Sequence, residues 1–233
     1  MAVHNGELYL KEAIESILNQ SFSDFEFIII NDCSTDSSEY IVRSYDDKRI
    51  KLYSNEINLG LTKSLNIGLG HCKGQYIARM DADDIAHPDR FLKQTRFLDE
   101  NLDYGGCGSW YTLFDDSGII HVAKLIENHD LLQASLLIKN QMGHPTIMMR
   151  KSVLDINNIW YDEELKTSQD YNMWLRLSVV SKLYNIQESL LDYRIHPKQV
   201  VSSKRNVAKQ YTHSGRIKFL QKLMKTTLST QED

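Results

Sequence analysis

The first two thirds of the chain alternate short apolar runs, typical of strands, with segments of helical periodicity. Residues 25–30 form an apolar, β-branched run that suits a strand buried on both faces, and 50–53 and 76–80 are further strand-like runs. Apolar residues recur at helical spacing over 10–18 and 61–69. This alternation predicts an α/β fold with a mostly parallel, Rossmann-like central sheet flanked by helices.

The second half of the chain mixes strands and helices less regularly. Runs 108–114 and 146–149 are strand-like, whereas 130–139 and 169–180 are helical. We expect a smaller, mixed half that packs beside the first, because 233 residues suit one domain better than two. The predicted organisation is a domain over 1–200, with halves 1–103 and 104–200, and a C-terminal helical extension over 201–233.

Two local signals refine this prediction. Residues 1–6 have the character of a strand end and a turn, so we expect the first strand to be short or truncated. Pro88 is one of three prolines and is expected to open a helix, since proline favours the first helical turn.

Composition and charge argue against several classes of protein. The formal net charge is -4, so the molecule as a whole is not built to bind nucleic acid. The longest strongly apolar run, 27–30, is far below the roughly 18 residues of a membrane-spanning helix, and we see no signal peptide. Cys33, Cys72 and Cys107 lack paired spacing and are expected to be free thiols in a reducing compartment. We therefore expect a cytoplasmic protein.

Carboxylates directly follow two of the predicted strands. Asp81, Asp83 and Asp84 come after one of them, and alternating carboxylates at a strand end can hold a divalent cation that binds phosphate oxygens. A D-x-D pair alone is a weak signal, and Asp84 can equally cap the helix at Pro88. Asp32 ends another strand, where it can accept a hydrogen bond from a base or ribose, or cap a helix.

Two further segments carry candidate functional groups. Asp170 lies near the start of a helical run and ahead of Trp174. A rigid position backed by an aromatic ring suits a general base, and helix capping is the alternative. Arg194 and His196 follow a strand-like run. Arg194 is a candidate for binding diphosphate and His196 for binding metal, although a lone histidine is more often structural.

Five segments of the chain match, in order, the motifs of one family. Residues 2–5 follow its pattern P-V-Y-N, and 20–36 follow Q-T-x-x-D-F-E-l-I-I-V-D-D-G-S-T-D. Residues 58–66 follow N-x-G-x-x-x-A-R-N, 74–84 follow G-x-Y-I-x-x-l-D-x-D-D, and 169–176 follow E-D-x-x-x-W-x-R. Together they resemble the family 2 glycosyltransferases of bacterial glycan biosynthesis, which adopt the GT-A fold.

The resemblance implies which residues bind the nucleotide of a sugar donor. The opening turn, here Ala2, Val3 and His4, and the carboxylate of Asp32 contact the nucleobase in the family. Lys63 is the basic residue of the segment 58–66 and is the candidate for the role of the family's arginine near the nucleotide. His4 replaces the family's tyrosine, and an imidazole ring can still stack on a base.

The resemblance also implies the metal ligands and the base. Asp81, with Ala82 beside it, lies near the ribose and the metal, and Asp83 coordinates the metal, which is Mn²⁺ or Mg²⁺. Asp170 is the general base, although Gln169 replaces the glutamate that usually precedes it.

The implied reaction is transfer of a sugar, with inversion, from a nucleotide-diphosphate sugar to an acceptor hydroxyl. The family favours UDP-sugars as donors and a glycan or lipid-linked glycan as acceptor. Two alternatives stay open. A nucleotidyltransferase would need a Gly-rich, basic triphosphate loop, and none appears in the sequence. A non-catalytic nucleotide-sugar-binding module is disfavoured because the four matching aspartates are all present.

Residues 204–225 form a basic, apolar segment with seven Lys or Arg residues and no Asp or Glu. Such a helix can lie on the inner face of an anionic membrane as a peripheral contact. The alternative is a terminal helix that packs its apolar stripe on the domain.

Overall fold

The computed structural model describes residues 1–165, 167–197, 216–217 and 219–221. The described residues form nine strands: β1 (Ala2–Val3), β2 (Phe27–Asn31), β3 (Ile50–Ser54), β4 (Tyr76–Ala78), β5 (Ile85–Ala86), β6 (Tyr104–Asp115), β7 (Gly118–Ala123), β8 (Met148–Arg150) and β9 (Lys182–Arg194). The helices among them are α1 (Leu10–Leu18), α2 (Ser38–Arg43), α3 (Leu61–His71), α4 (Arg90–Glu100), α5 (His129–Ser135), α6 (Lys151–Ile156) and α7 (Gln169–Val180).

The first sheet is parallel and has the order β1-β2-β3. Its middle strand, β2, is buried along its whole length, as the β-branched run predicts. Ala2 pairs with Ile30 and Phe27 with Ile50, so the ends of β1 and β2 lie side by side. As expected, β1 is very short.

The second sheet is mixed and has the order β4-β8-β6-β9-β5, with β7 paired to β6. Strands β6 and β9 are parallel, whereas β4 pairs antiparallel with β8 and β5 antiparallel with β9. The predicted α/β fold is confirmed, and its purely parallel part is the first sheet. Because β4 and β5 belong to the mixed sheet, residues on both sides of the predicted 103/104 division build it, and that division stays a prediction.

One of the two hydrophobic cores joins the first half of the chain to the second. It contains Leu65 of α3 and Ile77 of β4 together with the fully buried Trp174 of α7. The other core lies around β2, α1 and α4. Burial of Trp174 and Leu177 on the same face of α7 follows the helical spacing of the sequence.

Several predicted boundaries are corrected. The helix expected at Pro88 begins at Arg90, with Asp89 as its N-cap. Asp84 does not cap this helix, because its Oδ1 accepts the backbone N–H of Arg194 at 3.0 Å. The strand expected over 146–149 begins only at Met148, because a 3₁₀ turn containing Pro145 occupies His144–Thr146. Helix α5 ends at Ser135, short of the predicted 139.

Most of the basic segment 204–225 lies outside the described residues. Where it is described, the Phe219 side chain is 4% exposed and packs into the core that holds Trp174. Arg216 Nε donates to the Tyr171 hydroxyl at 2.9 Å. At these two residues the tail packs on the domain. In the described ranges, none of the helices combines the length and apolar character needed to cross a bilayer.

Candidate active site

The opening turn lies against the end of β2. Val3 is buried, and its carbonyl accepts the N–H of Asp32 at 2.8 Å. His4 is exposed, and its Nδ1 lies 2.8 Å from the main-chain oxygen of Asp32. Asn5 has a positive φ of 54°, which turns the chain away from the strand. The predicted nucleobase turn of Ala2, Val3 and His4 therefore adjoins Asp32, and the His4 ring is the part of it that solvent can reach.

Asp32 fixes the loop that leads into α3. Its carboxylate accepts hydrogen bonds from Asn55 Nδ2, Leu59 N and Gly60 N, each at 2.8 Å. Burial alone would raise the pKa of this carboxyl, but the hydrogen bonds outweigh burial and the pKa lies below its usual value. Lys63 is exposed in the first turn of the same helix. A carboxylate has about four acceptor positions, so Asp32 retains capacity for a further donor.

Asp81, Asp83 and Asp84, here called the acidic cluster, lie in the loop between β4 and β5. One oxygen from each carboxylate falls within 4.8 Å of the others. Burial, followed by the charges of Asp81 and Asp83, raises the pKa of Asp84 well above its usual value. Burial, followed by the charge of Asp81, raises the pKa of Asp83. Such mutual repulsion is relieved when a cation binds.

The acidic cluster fits a hard divalent ion. Asp84 Oδ2 is buried and has no hydrogen-bond partner among the described residues, which leaves a carboxylate oxygen available as a ligand. His196 Nε2 lies 2.9 Å from Asp83 Oδ2, so the imidazole is beside the same carboxylate. Three carboxylates and one imidazole suit Mn²⁺ or Mg²⁺. The residues that fit are Asp81, Asp83, Asp84 and His196.

Arg194 contacts the backbone of the acidic cluster. Its guanidinium lies between the rings of Tyr9 and Phe114, 4.4 Å and 4.6 Å from their centroids. Its Nε donates to the carbonyl of Asp83 at 2.9 Å, and Nη2 pairs with Glu12. Arg194 is 9% exposed, and its observed contacts stabilise the cluster backbone. Diphosphate binding by Arg194 stays a prediction.

Asp170 occupies the first turn of α7, two residues after Ser168, whose φ of 62° is left-handed. The half-buried carboxylate accepts a hydrogen bond from Asn140 Nδ2 at 3.2 Å. Burial is the largest influence on this carboxyl and raises its pKa, while Asp81 acts in the same direction. A raised pKa and a rigid helix are what a general base requires.

Sequence reasoning left Asp84 open between the carboxylate cluster and a helix cap, and the structure places it in the cluster. It missed three residues that complete the site. Asn55 and Asn140 bind the predicted Asp32 and Asp170, and Tyr9 faces His196 with ring centroids 4.9 Å apart. Nothing in the spacing of these three residues predicts such contacts, because each depends on long-range folding.

A separate cavity of about 600 Å³ lies between β2 and β4. Its walls combine apolar side chains such as Ile28, Leu65 and Ile77 with charged ones such as Lys73 and Arg90, and none of the described carboxylates of the acidic cluster lines it. A divalent cation that binds diphosphate needs carboxylate ligands. We therefore locate the candidate site at the acidic cluster rather than in this cavity.

The sheets have the architecture of GT-A glycosyltransferases. TarS of S. aureus, solved with UDP-GlcNAc, superposes with a TM-score of 0.74 at 22% identity over 87% of this chain and 59% of that chain. The mannosyltransferase PcManGT of Pyrobaculum calidifontis, solved with GDP-Man and Mn²⁺, gives a TM-score of 0.67 at 12% identity over 87% and 58%. At these identities the likeness concerns the fold.

Sequence comparison defines the family. Residues 1–156 match the profile of Glycosyl transferase family 2, and this chain belongs to that family. The O-antigen biosynthesis glycosyltransferase WbnJ of Escherichia coli is 36% identical over 87% of this chain and 81% of its own length. A glycosyltransferase of Haemophilus influenzae is 35% identical over 87% of this chain. The match spans 66% of that relative's length.

Proposed function

We propose that this glycosyltransferase transfers a sugar, with inversion, from a nucleotide-diphosphate sugar to an acceptor hydroxyl and that it requires a divalent cation. The observation that carries the proposal is a buried Asp84 oxygen that has no hydrogen-bond partner in the described part of the chain. It lies within a cluster of three carboxylates that His196 adjoins. Raised pKa values at Asp83 and Asp84 support cation binding, because the cluster is electrostatically incomplete without positive charge.

Relatives support the class of donor and acceptor. TarS was solved with UDP-GlcNAc and PcManGT with GDP-Man and Mn²⁺, so nucleotide sugars and a divalent ion suit this fold. The name of WbnJ assigns that relative to O-antigen biosynthesis. We infer a UDP-sugar donor and a glycan or lipid-linked glycan acceptor, in cell-surface glycan synthesis on the cytoplasmic side, with 204–225 as a peripheral membrane contact.

The mechanism follows from what each side chain can do. Asp83, Asp84 and His196, with Asp81, would hold the cation, which would supply Lewis-acid stabilisation of the departing diphosphate. The turn of Ala2, Val3 and His4 binds the base beside Asp32, and Lys63 and Ala82 border the nucleotide. Asp170 takes the proton from the acceptor hydroxyl. The new glycosidic bond forms as the bond from the anomeric carbon to the diphosphate breaks, on the opposite face.

Turnover by the purified protein separates this proposal from its two alternatives. The protein is incubated with a panel of UDP- and GDP-sugars, Mn²⁺ and candidate glycan acceptors, and the nucleotide products are resolved by chromatography. We expect free nucleoside diphosphate, released in step with glycosylated acceptor. Pyrophosphate release would instead indicate a nucleotidyltransferase. Donor binding in calorimetry without any turnover would indicate a binding module.

A further inference from the structure

Arg79 is a buried cation that reaches the acidic cluster from the end of β4. Its side chain is 6% exposed. Nη1 donates to Asp81 Oδ2 at 2.6 Å, and Nη2 pairs with Asp81 Oδ1, so the guanidinium contacts both carboxylate oxygens. Paired contacts of this kind fix the orientation of a carboxylate as well as its charge. Asp81 is therefore held in one orientation before any ligand arrives.

The backbone of Arg79 is itself fixed by two other elements. Its N–H donates to the carbonyl of Ile147 at 3.0 Å, beside β8. Its carbonyl accepts a hydrogen bond from Nη2 of the fully buried Arg90, in α4, at 2.6 Å. A functional group carried on a rigid, doubly anchored segment keeps its position when ligands bind.

Arg79 also borders residues from the second half of the chain, because it lines one cavity together with Tyr161. Its positive charge acts to lower the pKa of Asp170, Tyr161 and His144. His144 Nε2 lies 2.8 Å from the Tyr161 hydroxyl, and the His144 ring faces Trp174 of α7. Two charged groups, Arg79 and Asp81, act on the pKa of Asp170. Arg79, Asp81 and Asp170 in turn all act on the pKa of the buried Tyr161 phenol. Arg79 thus contacts the acidic cluster directly, whereas its effect on Asp170 is electrostatic.

We propose that Arg79 is a positioning residue that orients the Asp81 carboxylate for the metal-bound donor. The inference rests on the proposed glycosyl transfer. The guanidinium contacts no reacting atom, because Asp81 occupies its two terminal nitrogens. The Arg79 Nε is buried and has no hydrogen-bond partner among the described residues. Burying such a group costs stability, so we expect the guanidinium to have a role besides packing.

Two substitutions separate geometry from charge. Arg79→Lys keeps the positive charge and loses the paired contact with Asp81. Arg79→Met keeps much of the side-chain length and loses both the positive charge and the paired contact. Arg150→Met is the matched control, because Arg150 is 9% exposed and its guanidinium binds the Leu98 carbonyl and the Tyr76 hydroxyl, away from the acidic cluster. Each variant is compared with wild type by Mn²⁺ titration calorimetry with UDP, by thermal melting, and by kcat/KM for the acceptor against pH.

The expected results differ between the two variants. Both weaken Mn²⁺ binding by about 10-fold or more, the size typical of losing a residue that orients a metal ligand. In Arg79→Met the acid limb of the pH profile also moves to higher pH, since the positive charge favours the carboxylate form of Asp170. In Arg79→Lys the acid limb stays where it is in wild type. Arg150→Met lowers the melting temperature and leaves Mn²⁺ affinity and the acid limb unchanged.

One outcome overturns the inference. If Arg79→Lys and Arg79→Met melt earlier but bind Mn²⁺ as wild type does, Arg79 serves packing alone. Weakened Mn²⁺ binding in both variants with one shared acid limb would support the role at Asp81 and would show that the charge of Arg79 does not act on Asp170. Failure of the proposed function is distinct, because wild type itself would then form no glycosylated product, while the calorimetry would still report whether Arg79 orients Asp81.

Discussion

Two buried aspartates of the site have opposite surroundings. Burial would raise the pKa of Asp32, but its hydrogen bonds from Asn55, Leu59 and Gly60 prevail and lower it. Burial raises the pKa of Asp84, and the neighbouring charges of the acidic cluster add to the effect. The Asp32 carboxylate is therefore stabilised by neutral hydrogen-bond donors, whereas Asp84 is a carboxylate that gains from a cation.

Asp170→Asn tests the proposed base. It keeps the size of the side chain and removes its basicity, so turnover should fall by about 10²-fold or more while donor affinity stays within about threefold. Because burial raises the pKa of Asp170, the wild-type acid limb should lie above the usual aspartate range. Because the folded-state pKa lies above the unfolded one, ionisation of Asp170 destabilises the fold as pH rises above the unfolded pKa. The variant lacks this ionisation, so it should melt no earlier than wild type at neutral pH.

Asp130→Asn is the matched control for this substitution. Asp130 is an exposed carboxylate in the first turn of α5, so it shares the helix position of Asp170 and lies outside the candidate site. Its turnover should match wild type. If Asp170→Asn lost donor affinity and kept turnover, Asp170 would be a binding or capping residue.

At the scale of elements, the apolar periodicity of the sequence predicted the bounds of individual helices. The predicted helices 10–18 and 169–180 coincide with α1 and α7, because both carry a strong apolar stripe that is buried in the structure. The pairing of β4 with β8 could not be predicted, since it joins Tyr76 to Arg150 across several intervening strands and helices. The contact that orients Asp84 is equally remote, because its partner Arg194 lies 110 residues further along the chain.

Asp32→Asn should loosen the loop that precedes α3. An amide offers one acceptor oxygen where the carboxylate offers two, so Leu59 N and Gly60 N compete for it, and we expect a loss of about 1–3 kcal/mol in unfolding free energy. A lowered folded-state pKa gives stability that is present above the unfolded pKa and lost as pH falls through the folded one. Urea unfolding between neutral pH and about pH 3 measures both effects.

The variant should lose stability less steeply in acid than wild type does. The exposed Asp46→Asn is the control and should leave the midpoint unchanged. Equal acid sensitivity in wild type and Asp32→Asn would mean that the carboxylate does not hold the loop.

The C-terminal segment is tested at Phe219. This side chain is buried in the core with Trp174, whereas Ile217 beside it is 45% exposed. Phe219→Ala should cost about 3 kcal/mol of stability, and Ile217→Ala less than about 0.5 kcal/mol. If Phe219→Ala instead kept the wild-type melting temperature and abolished co-sedimentation with anionic vesicles, the segment would contact membrane and not the domain.

At the scale of the whole molecule, the site depends on contacts between distant parts of the chain. His196 reaches Asp83 across 113 residues, and Arg194 pairs with Glu12 across 182. The motifs in the sequence identified most of the chemical groups, since Asp81, Asp83 and Asp170 each lie in a segment that matches a family motif. The packing that tunes these groups, from Tyr9, Phe114 and Asn140, arises only when both halves have folded together.

Metal dependence is the central claim, and sugar transfer in the presence and absence of a divalent ion tests it most directly. Wild type, Asp83→Ala and the exposed control Asp116→Ala are assayed for glycosylated acceptor with Mn²⁺, with EDTA, and with Mn²⁺ restored after EDTA. We expect wild type and Asp116→Ala to be active with Mn²⁺, inactive in EDTA and recovered on restoration, and Asp83→Ala to be inactive throughout. Full transfer by wild type in EDTA, or by Asp83→Ala with Mn²⁺, would contradict the account.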